Sequence, residues 1–307
     1  MAAGTPLISL VICTYNREKF LPQALESIRQ QQFPASDFEL VIIDNNSTDN
    51  TAAISKKFIA DNPNLTVRYF FETNKGLSFA RNRGLKEAAA PVLSYIDDDV
   101  ILSPAYLQEM AGFFSQHPNA CGAGGKVIPK YESGQEPPWM SKYLAGFVGK
   151  VDYGTAIKQY DQTMKYPAGC NMTYTKDILT KAGGFNNDLT FRSDDKYIFF
   201  KVKEQSAEIY YLPGAYLHHY IDAHRVTFDN FRKLFLKTGN EEKIRVRQEK
   251  GTAGLLRKFA EYTVKLGASF VLYFLFLLKG QEIKGRYVIF SQWFTLKGFL
   301  SSNVFVR

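Results

Sequence analysis

The stretch PVLSYIDDDV, residues 91–100, runs an apolar segment straight into three consecutive aspartates. Asp97, Asp98 and Asp99 repel one another unless something positive sits among them. A divalent cation would meet that need, and hard oxygen ligands in so small a space select Mg²⁺ or Mn²⁺. An acidic turn that merely caps the following helix is the alternative. The apolar part reads as a strand, so alternate residues Asp97 and Asp99 would project to one side at its carboxyl end.

Working outward, the same pattern recurs. LISLVICT (7–14), ELVIID (39–44) and TVRYFFE (66–72) are strand-like runs, each followed by a segment of helical period, at 18–32, 51–61 and 77–89; 91–97 is followed by one at 104–116. Such βαβα alternation predicts an α/β fold with a mostly parallel, doubly wound sheet and helices on both faces. Ligands of such sheets sit at the carboxyl ends of the strands. Here those ends read CTYNR, IDNNSTD, ETNKG and IDDDV, all polar. Residues 129–166 have weak periodicity and many Gly, Pro and Tyr, which predicts an irregular insertion near the site. A strand, a short helix and a glycine turn are expected over GCNMTYTKDILTKAGGF, and a helix opening with acids over SDDKYIFFKVKEQ.

At 307 residues with 45% hydrophobic content the chain can bury a sizeable core. Cys13, Cys121 and Cys170 form no CxxC pair, so neither a disulfide framework nor a zinc site is indicated, and a reducing cytosol fits. The amino terminus lacks a basic leader region and reads as a first strand, not a signal peptide. The net charge of +8 is uneven: from Arg225 onward there are 16 Lys and Arg against 6 Asp and Glu, leaving 22 against 24 before it. That basic tail contains LGASFVLYFLFLLKG, whose apolar run from Leu266 to Leu278 is shorter than the about 20 residues of a membrane span. YVIFSQWFTLKGFL follows, with Trp293 and Tyr287 among Lys and Arg. Aromatic residues beside cations suit a helix lying in a membrane interface. C-terminal helices packed on the protein, or a homodimer contact, are the alternatives. The tail's long apolar run and the lack of a basic patch in the sheet region argue against nucleic-acid binding.

SLVICTYNREKFLPQALESI, VIIDNNSTDNT, NKGLSFARNRGL and YIDDDV, followed by GCNM, GGFNNDLTFRSDDKY and LPGAYLHHYIDAHRVT, resemble in order and spacing the inverting family 2 glycosyltransferases of the GT-A fold. The resemblance covers about residues 7–227 and implies sugar transfer from a nucleotide-sugar donor, a UDP-sugar being favoured, with a divalent metal on the diphosphate. By that resemblance Thr14, Tyr15, Asn16 and Asp44 hold the nucleotide, though Asp44 could instead cap the next helix. Arg81 is aimed at the donor, an ion pair being the ordinary alternative. Asp99 is the expected direct metal ligand, with Asp97 and Asp98 on the sugar or ribose. His219, six positions before Arg225, completes the metal site, His218 being the alternative in the adjacent register; Arg225 contacts the diphosphate. Asp194 and Asp195 stand where the family carries Glu-Asp, with Asp195 as the base that takes the acceptor proton. Trp139 would stack on an acceptor sugar or belong to the core.

The expected organisation is a GT-A domain over 1–227, with a nucleotide-sugar half at 1–125 and an acceptor half at 126–227, then a basic, aromatic helical region at 228–307. The tail suggests a lipid-linked saccharide acceptor, as in assembly of a bacterial surface polysaccharide, and a cytoplasmic protein peripheral on the inner face of the plasma membrane. Two rival readings are a nucleotidyltransferase, for which CTYNREKF lacks a glycine-rich phosphate loop, and a catalytically silent nucleotide-sugar-binding scaffold.

Overall fold

Strands β1 (Ile8–Thr14) and β2 (Phe38–Asp44) are buried at almost every position on both faces. Near-continuous apolar runs of this kind need helices above and below them. The computed structural model, which describes residues 4–189 and 194–301 apart from the side chains of Gln248 and Glu249, supplies those helices. After β1 come α1 (Leu21–Arg29), β2, α2 (Thr51–Asp61), β3 (Val67–Phe71), α3 (Leu77–Glu87) and β4 (Val92–Ile96). The strands pair in parallel in the order β3–β2–β1–β4. The chain therefore starts mid-sheet, steps outward twice, and returns across β1 to place β4 on its other side. Right-handed crossovers put α1 and α2 on one face and α3 on the other. The strand order reverses between β1 and β4, so their carboxyl ends flank the crevice where such sheets bind ligands.

Beyond β4 the sheet becomes antiparallel, which extends the expected parallel architecture into a mixed one. The later elements are β5 (Val100–Leu102), α4 (Tyr106–Gln116), β6 (Gly122–Tyr131), β7 (Lys158–Gln159), β8 (Asn171–Thr175), α5 (Lys176–Lys181), α6 (Asp194–Lys203) and β9 (Ile209–Ile221). They continue the order as β4–β8–β6–β9–β5, with β7 on β9. The three-residue β5 escapes periodicity reading because its pairing is set by its partner. At the amino-terminal edge, Glu39 is buried and accepts from Ser9 Oγ at 2.5 Å, the Ala89 N–H at 2.6 Å and Arg68 Nη2 at 2.6 Å. Burial raises its pKa, but these donors outweigh that and hold it below the usual value. One carboxylate thus pins three neighbouring segments.

The chain divides into two compact units, 4–129 with 149–220 and 130–148 with 221–301. Segment 130–148, which sequence grouping assigns to the acceptor half, clusters in the second unit with α7 (Phe228–Leu277) and α8 (Glu282–Leu300). Trp139 stacks on Tyr287 at 4.5 Å and meets the edges of Phe147 and Phe231. It is a core residue of this unit, which corrects its expected place on an acceptor sugar: its ring is committed to other aromatics and is 7% exposed. Helices α7 and α8 touch through glycines, since a Cβ on Gly239 or Gly298 would come within 2.0 or 1.9 Å of a facing carbonyl oxygen. Thr227 caps α7 by accepting from the Asn230 N–H, and Gly251, at φ 58°, breaks the helix. The helical run Lys250–Leu277 is long and apolar enough, by length and composition, to cross a membrane. The run Leu266–Leu278 alone is too short, but the helix continues in front of it. Leu256, Val264, Val271, Phe274 and Leu278 are 61–84% exposed and fall on one face of α7.

Candidate active site

Three loops at the carboxyl ends of β1, β2 and β3 are laced into one rim. Asn16, at φ 53°, accepts the Thr48 N–H on Oδ1 at 2.8 Å, and its own N–H donates to Ser47 Oγ at 3.0 Å. Asn45 donates to the Asn74 carbonyl at 2.6 Å and accepts the Gly76 N–H at 2.8 Å. The Arg17 and Glu18 N–H groups donate to Thr51 Oγ1 and Asp49 Oδ2, each at 3.0 Å. Asn tolerates the left-handed conformation and bonds local backbone, which is why NN and YN occupy these turns. Thr14 is buried, with its carbonyl accepting from Asn45 N–H, whereas the Tyr15 ring is 47% exposed with Lys75 Nζ at 5.8 Å. Asp44 lies fully buried; its oxygens accept the Ser47 N–H at 2.8 Å and the Tyr69 hydroxyl at 2.7 Å. One of these bonds lies in the turn and the other reaches β3; Asp44 does not cap α2, whose N-cap is Asn50.

Asp98 and Asp99 are buried, 5% and 7% exposed, while the Asp97 side chain is 37% exposed. Burial, relieved in part by Arg17, pushes the Asp98 carboxyl up to about 8. The antiparallel register of β5 and β9 places Val100 opposite His219, and His219 Nε2 lies 3.4 Å from Asp99 Oδ1. His218 pairs with Ile101 on the other face. Cis ligands about 2.1 Å from an octahedral ion are about 3.0 Å apart, so this buried carboxylate–imidazole pair fits Mg²⁺ or Mn²⁺ with little movement. Among the described residues no three acid, imidazole or thiol groups already converge as a metal cage.

Arg81 connects this group to the next. On α3, Ser78, Arg81 and Asn82 share one face at i, i+3, i+4. Ser78 Oγ donates to the Leu189 carbonyl at 3.2 Å, and Asn82 exchanges two 2.8 Å bonds with the main chain of Phe185. Arg81, 3% exposed, pairs with Asp194 and reaches Asp97 Oδ1 at 3.6 Å. Burial alone would lower its pKa, but Asp194 and Asp97 overcome that and raise it. Its charge is already committed to two carboxylates, so Arg81 positions acids instead of pointing at a donor, and it is a buried pair rather than a surface one. Asp194 opens α6 and is 5% exposed against that guanidinium. Asp195, part-exposed, accepts the Gly169 N–H on Oδ2 at 3.2 Å and the Lys196 N–H on Oδ1 at 2.7 Å. Burial first, then repulsion from Asp194, raises its carboxyl to about 6. Gly169 also accepts from Arg81 Nη2 at 3.1 Å, and a Cβ there would stand 2.8 Å from that nitrogen, so only glycine lets the backbone in. Residues 190–193 of the motif GGFNNDLTFRSDDKY lie outside the described residues.

Two residues unassigned in the sequence reading belong to this site. Arg17 places Nε 3.3 Å from Asp98 Oδ1 and Nη2 3.6 Å from Asp99 Oδ2; Asn82 clamps the segment before α6. The three-and-four spacing of Ser78, Arg81 and Asn82 was the available signal for the second. Arg225 belongs to the second unit, in the turn 224–226, where its N–H donates to Asp222 Oδ1 at 2.8 Å.

A sequence profile described as "Glycosyl transferase family 2" matches residues 9–183. The chain is 24% identical over 234 residues to a glucosyl-dolichyl phosphate glucuronosyltransferase of Haloferax volcanii, covering 72% of each chain. It is 30% identical over 206 residues to the poly(ribitol-phosphate) beta-N-acetylglucosaminyltransferase TarS of Staphylococcus aureus, covering 64% of this chain and 36% of TarS, so it spans about a third of that relative's length. Among solved structures, a mannosyltransferase from Pyrobaculum calidifontis in complex with GDP-Man and Mn²⁺ superposes with a TM-score of 0.61 at 15% identity, over 93% of this chain and 86% of that one. TarS residues 1–349 in complex with UDP give 0.56 at 17% identity, over 94% and 90%. The match over 9–183 and the shared architecture lead to one conclusion: the chain belongs to glycosyl transferase family 2 and is a glycosyltransferase with the GT-A fold.

Proposed function

We propose that this glycosyltransferase moves a sugar from a nucleotide-sugar donor, a UDP-sugar in the first instance, to a saccharide acceptor carried on a lipid, with inversion and with Mg²⁺ or Mn²⁺. One observation carries the reading: a buried arginine, Arg81, holds Asp97 of the triplet on one side and Asp194, next to Asp195, on the other. Donor-side and acceptor-side acids thus share one fixed frame. The exposed Tyr15 ring offers a face to the base, with Thr14, Asn16 and Asp44 keeping its turn in shape. Asp97 and Asp98 take sugar or ribose hydroxyls. Asp99 and His219 would hold the metal, which supplies positive charge to the departing nucleoside diphosphate. Asp195, ionised above about pH 6, accepts the acceptor hydroxyl proton on a carboxylate oxygen while the acceptor oxygen bonds to the anomeric carbon opposite the breaking bond. Asp194 and Gly169 keep that carboxylate oriented.

The lipid-linked acceptor is supported by the exposed apolar face of α7, the basic composition after Arg225, and a relative named for glucosyl-dolichyl phosphate. The protein then works from the cytoplasmic side with this face in the bilayer interface. Flotation with anionic liposomes tests it: full-length protein should rise with the vesicles and Val271→Asp/Phe274→Asp should not. A protein that stays at the bottom and sediments as a dimer would assign the face to a second copy. For the chemistry, donor binding and slow hydrolysis across UDP-, GDP- and dTDP-sugars, with and without Mn²⁺, should single out one nucleotide class that needs metal and Asp99. Binding that ignores both metal and Asp99→Ala would remove the metal reading.

A further inference from the structure

Arg17 and Arg81 both face the aspartate triplet, yet they are held differently. Arg81 is 3% exposed and fixed by Asp194 and the Gly169 carbonyl. The Arg17 side chain is 37% exposed, and its nitrogens stand 3.3 and 3.6 Å from Asp98 and Asp99. Charge-assisted hydrogen bonds of this kind run about 2.7–2.9 Å, so these two contacts are longer than such bonds. Its backbone, by contrast, is fixed: the N–H donates to Thr51 Oγ1 at 3.0 Å, within the rim that joins the first two strand ends. The guanidinium is therefore a cation on a long side chain tethered at its backbone, with Cζ 5.5 Å from the Phe20 ring centroid.

We propose that Arg17 is an exchangeable counter-cation: it balances Asp98 and Asp99 in the metal-free protein, yields Asp99 to the divalent ion, and then turns its released guanidinium to the donor diphosphate. The inference rests on the metal reading above and adds a residue and a coupling to it. A guanidinium and a divalent cation about 4 Å apart repel, so Asp99 does not keep both. The tether holds the released charge at the mouth of the crevice, where the planar fork matches phosphate oxygens. Metal binding and nucleotide binding are then linked. The ion must displace Arg17, which weakens its intrinsic affinity, and the nucleotide gains Arg17 only after the ion is in place, which makes each ligand strengthen the other by the same factor.

Two titrations of the full-length protein test this, on wild type, Arg17→Gln and Arg17→Lys. In the first, Mn²⁺ alone is titrated by calorimetry or by loss of the free-ion EPR signal. Arg17→Gln should bind Mn²⁺ about 3- to 10-fold more tightly than wild type, because a partly exposed competing charge has gone, and Arg17→Lys should stay near wild type. In the second, UDP and GDP are titrated at saturating Mn²⁺, and the nucleotide that binds wild type should bind Arg17→Gln about tenfold or more weakly, with Arg17→Lys between them. Equal or weaker Mn²⁺ binding by Arg17→Gln overturns the exchange while leaving the metal site standing. Unchanged nucleotide affinity overturns the second half, the transfer to the diphosphate. Absence of Mn²⁺ binding in every variant and in wild type removes the metal reading and the exchange with it. Arg17 is half-buried against Asp98 and Asp99, so thermal transitions of the three proteins are recorded beside the titrations and binding is compared per folded molecule.

Discussion

The Asp194–Asp195 pair allows the base assignment to be tested by pH. Asp195 is raised to about 6, by burial and then by the neighbouring Asp194 charge. A base must be ionised to accept a proton, so activity should rise as pH passes upward through that value. With one titrating group near 6, about one molecule in eleven is competent at pH 5 and about 99 in 100 at pH 8, an elevenfold rise in kcat/KM. Asp195→Asn should lower kcat by about 100- to 10,000-fold, leave donor affinity within about twofold, and erase the acid limb. Asp194→Asn adds a second, sharper arm. It removes the like charge that pushes Asp195 upward and leaves Arg81 with less compensation, so the limb should move below pH 6. The assay is initial-rate transfer at saturating Mg²⁺ across pH 5–8, with donor affinity measured separately. A wild-type profile flat to pH 5, an acid limb that survives Asp195→Asn, or a limb that Asp194→Asn moves upward would refute the assignment.

Arg81→Met should destabilise the protein by about 3–5 kcal/mol, because Asp194 is left buried without its partner, and the loss should be read in denaturant midpoint as well as in activity. Glu39→Ala should cost about 3 kcal/mol by stranding the donors of Ser9, Ala89 and Arg68, with transfer per folded molecule unchanged. Since the pKa of Glu39 is depressed on folding, its contribution is present above its unfolded value and is lost as pH falls below that range, so wild type and Glu39→Ala should converge in stability toward acid. Trp139→Ala should cost about 3–5 kcal/mol through the aromatic cluster around Phe231 and Tyr287, and leave the acceptor KM of the remaining folded protein unaltered.

What the sequence made legible was whatever local pattern determines. The four strand-then-helix repeats are dictated by apolar runs and turn residues, and Thr51–Asp61 occurs within the expected bounds. His219 is expected at the metal site from the family resemblance alone, and the long-range pairing of β9 with β5 brings it beside Asp99. Long-range pairings carry no such signal. Nothing in SFARN says whether Arg81 meets a ligand or a carboxylate about 110 residues later; that depends on where α6 begins and on Gly169 letting its backbone approach. Asp44 is a related case. An acid at a strand end is equally suited to bind a base and to accept a turn N–H, and the bond from Tyr69 on the neighbouring β3 could not be read from the local sequence. Trp139 sat in an irregular, polar-looking segment whose partners, Phe231 and Tyr287, come about 90 and 150 residues later.

The same arithmetic of charge explains why two arginines serve one acidic site. Asp97, Asp98, Asp99, Asp194 and Asp195 bring five carboxylates to one region, against which the structure sets the buried Arg81 and the half-buried Arg17. The acids thus outnumber the arginines by three, and that imbalance, with burial, appears as the raised carboxyls of Asp98 and Asp195. A third buried arginine would remove the deficit and with it the drive to take up a cation, whereas losing Arg81 would leave Asp194 uncompensated in the core. A permanent cation for the frame and a tethered one for the mouth is the arrangement that keeps the fold stable while leaving the donor side of the crevice short of positive charge.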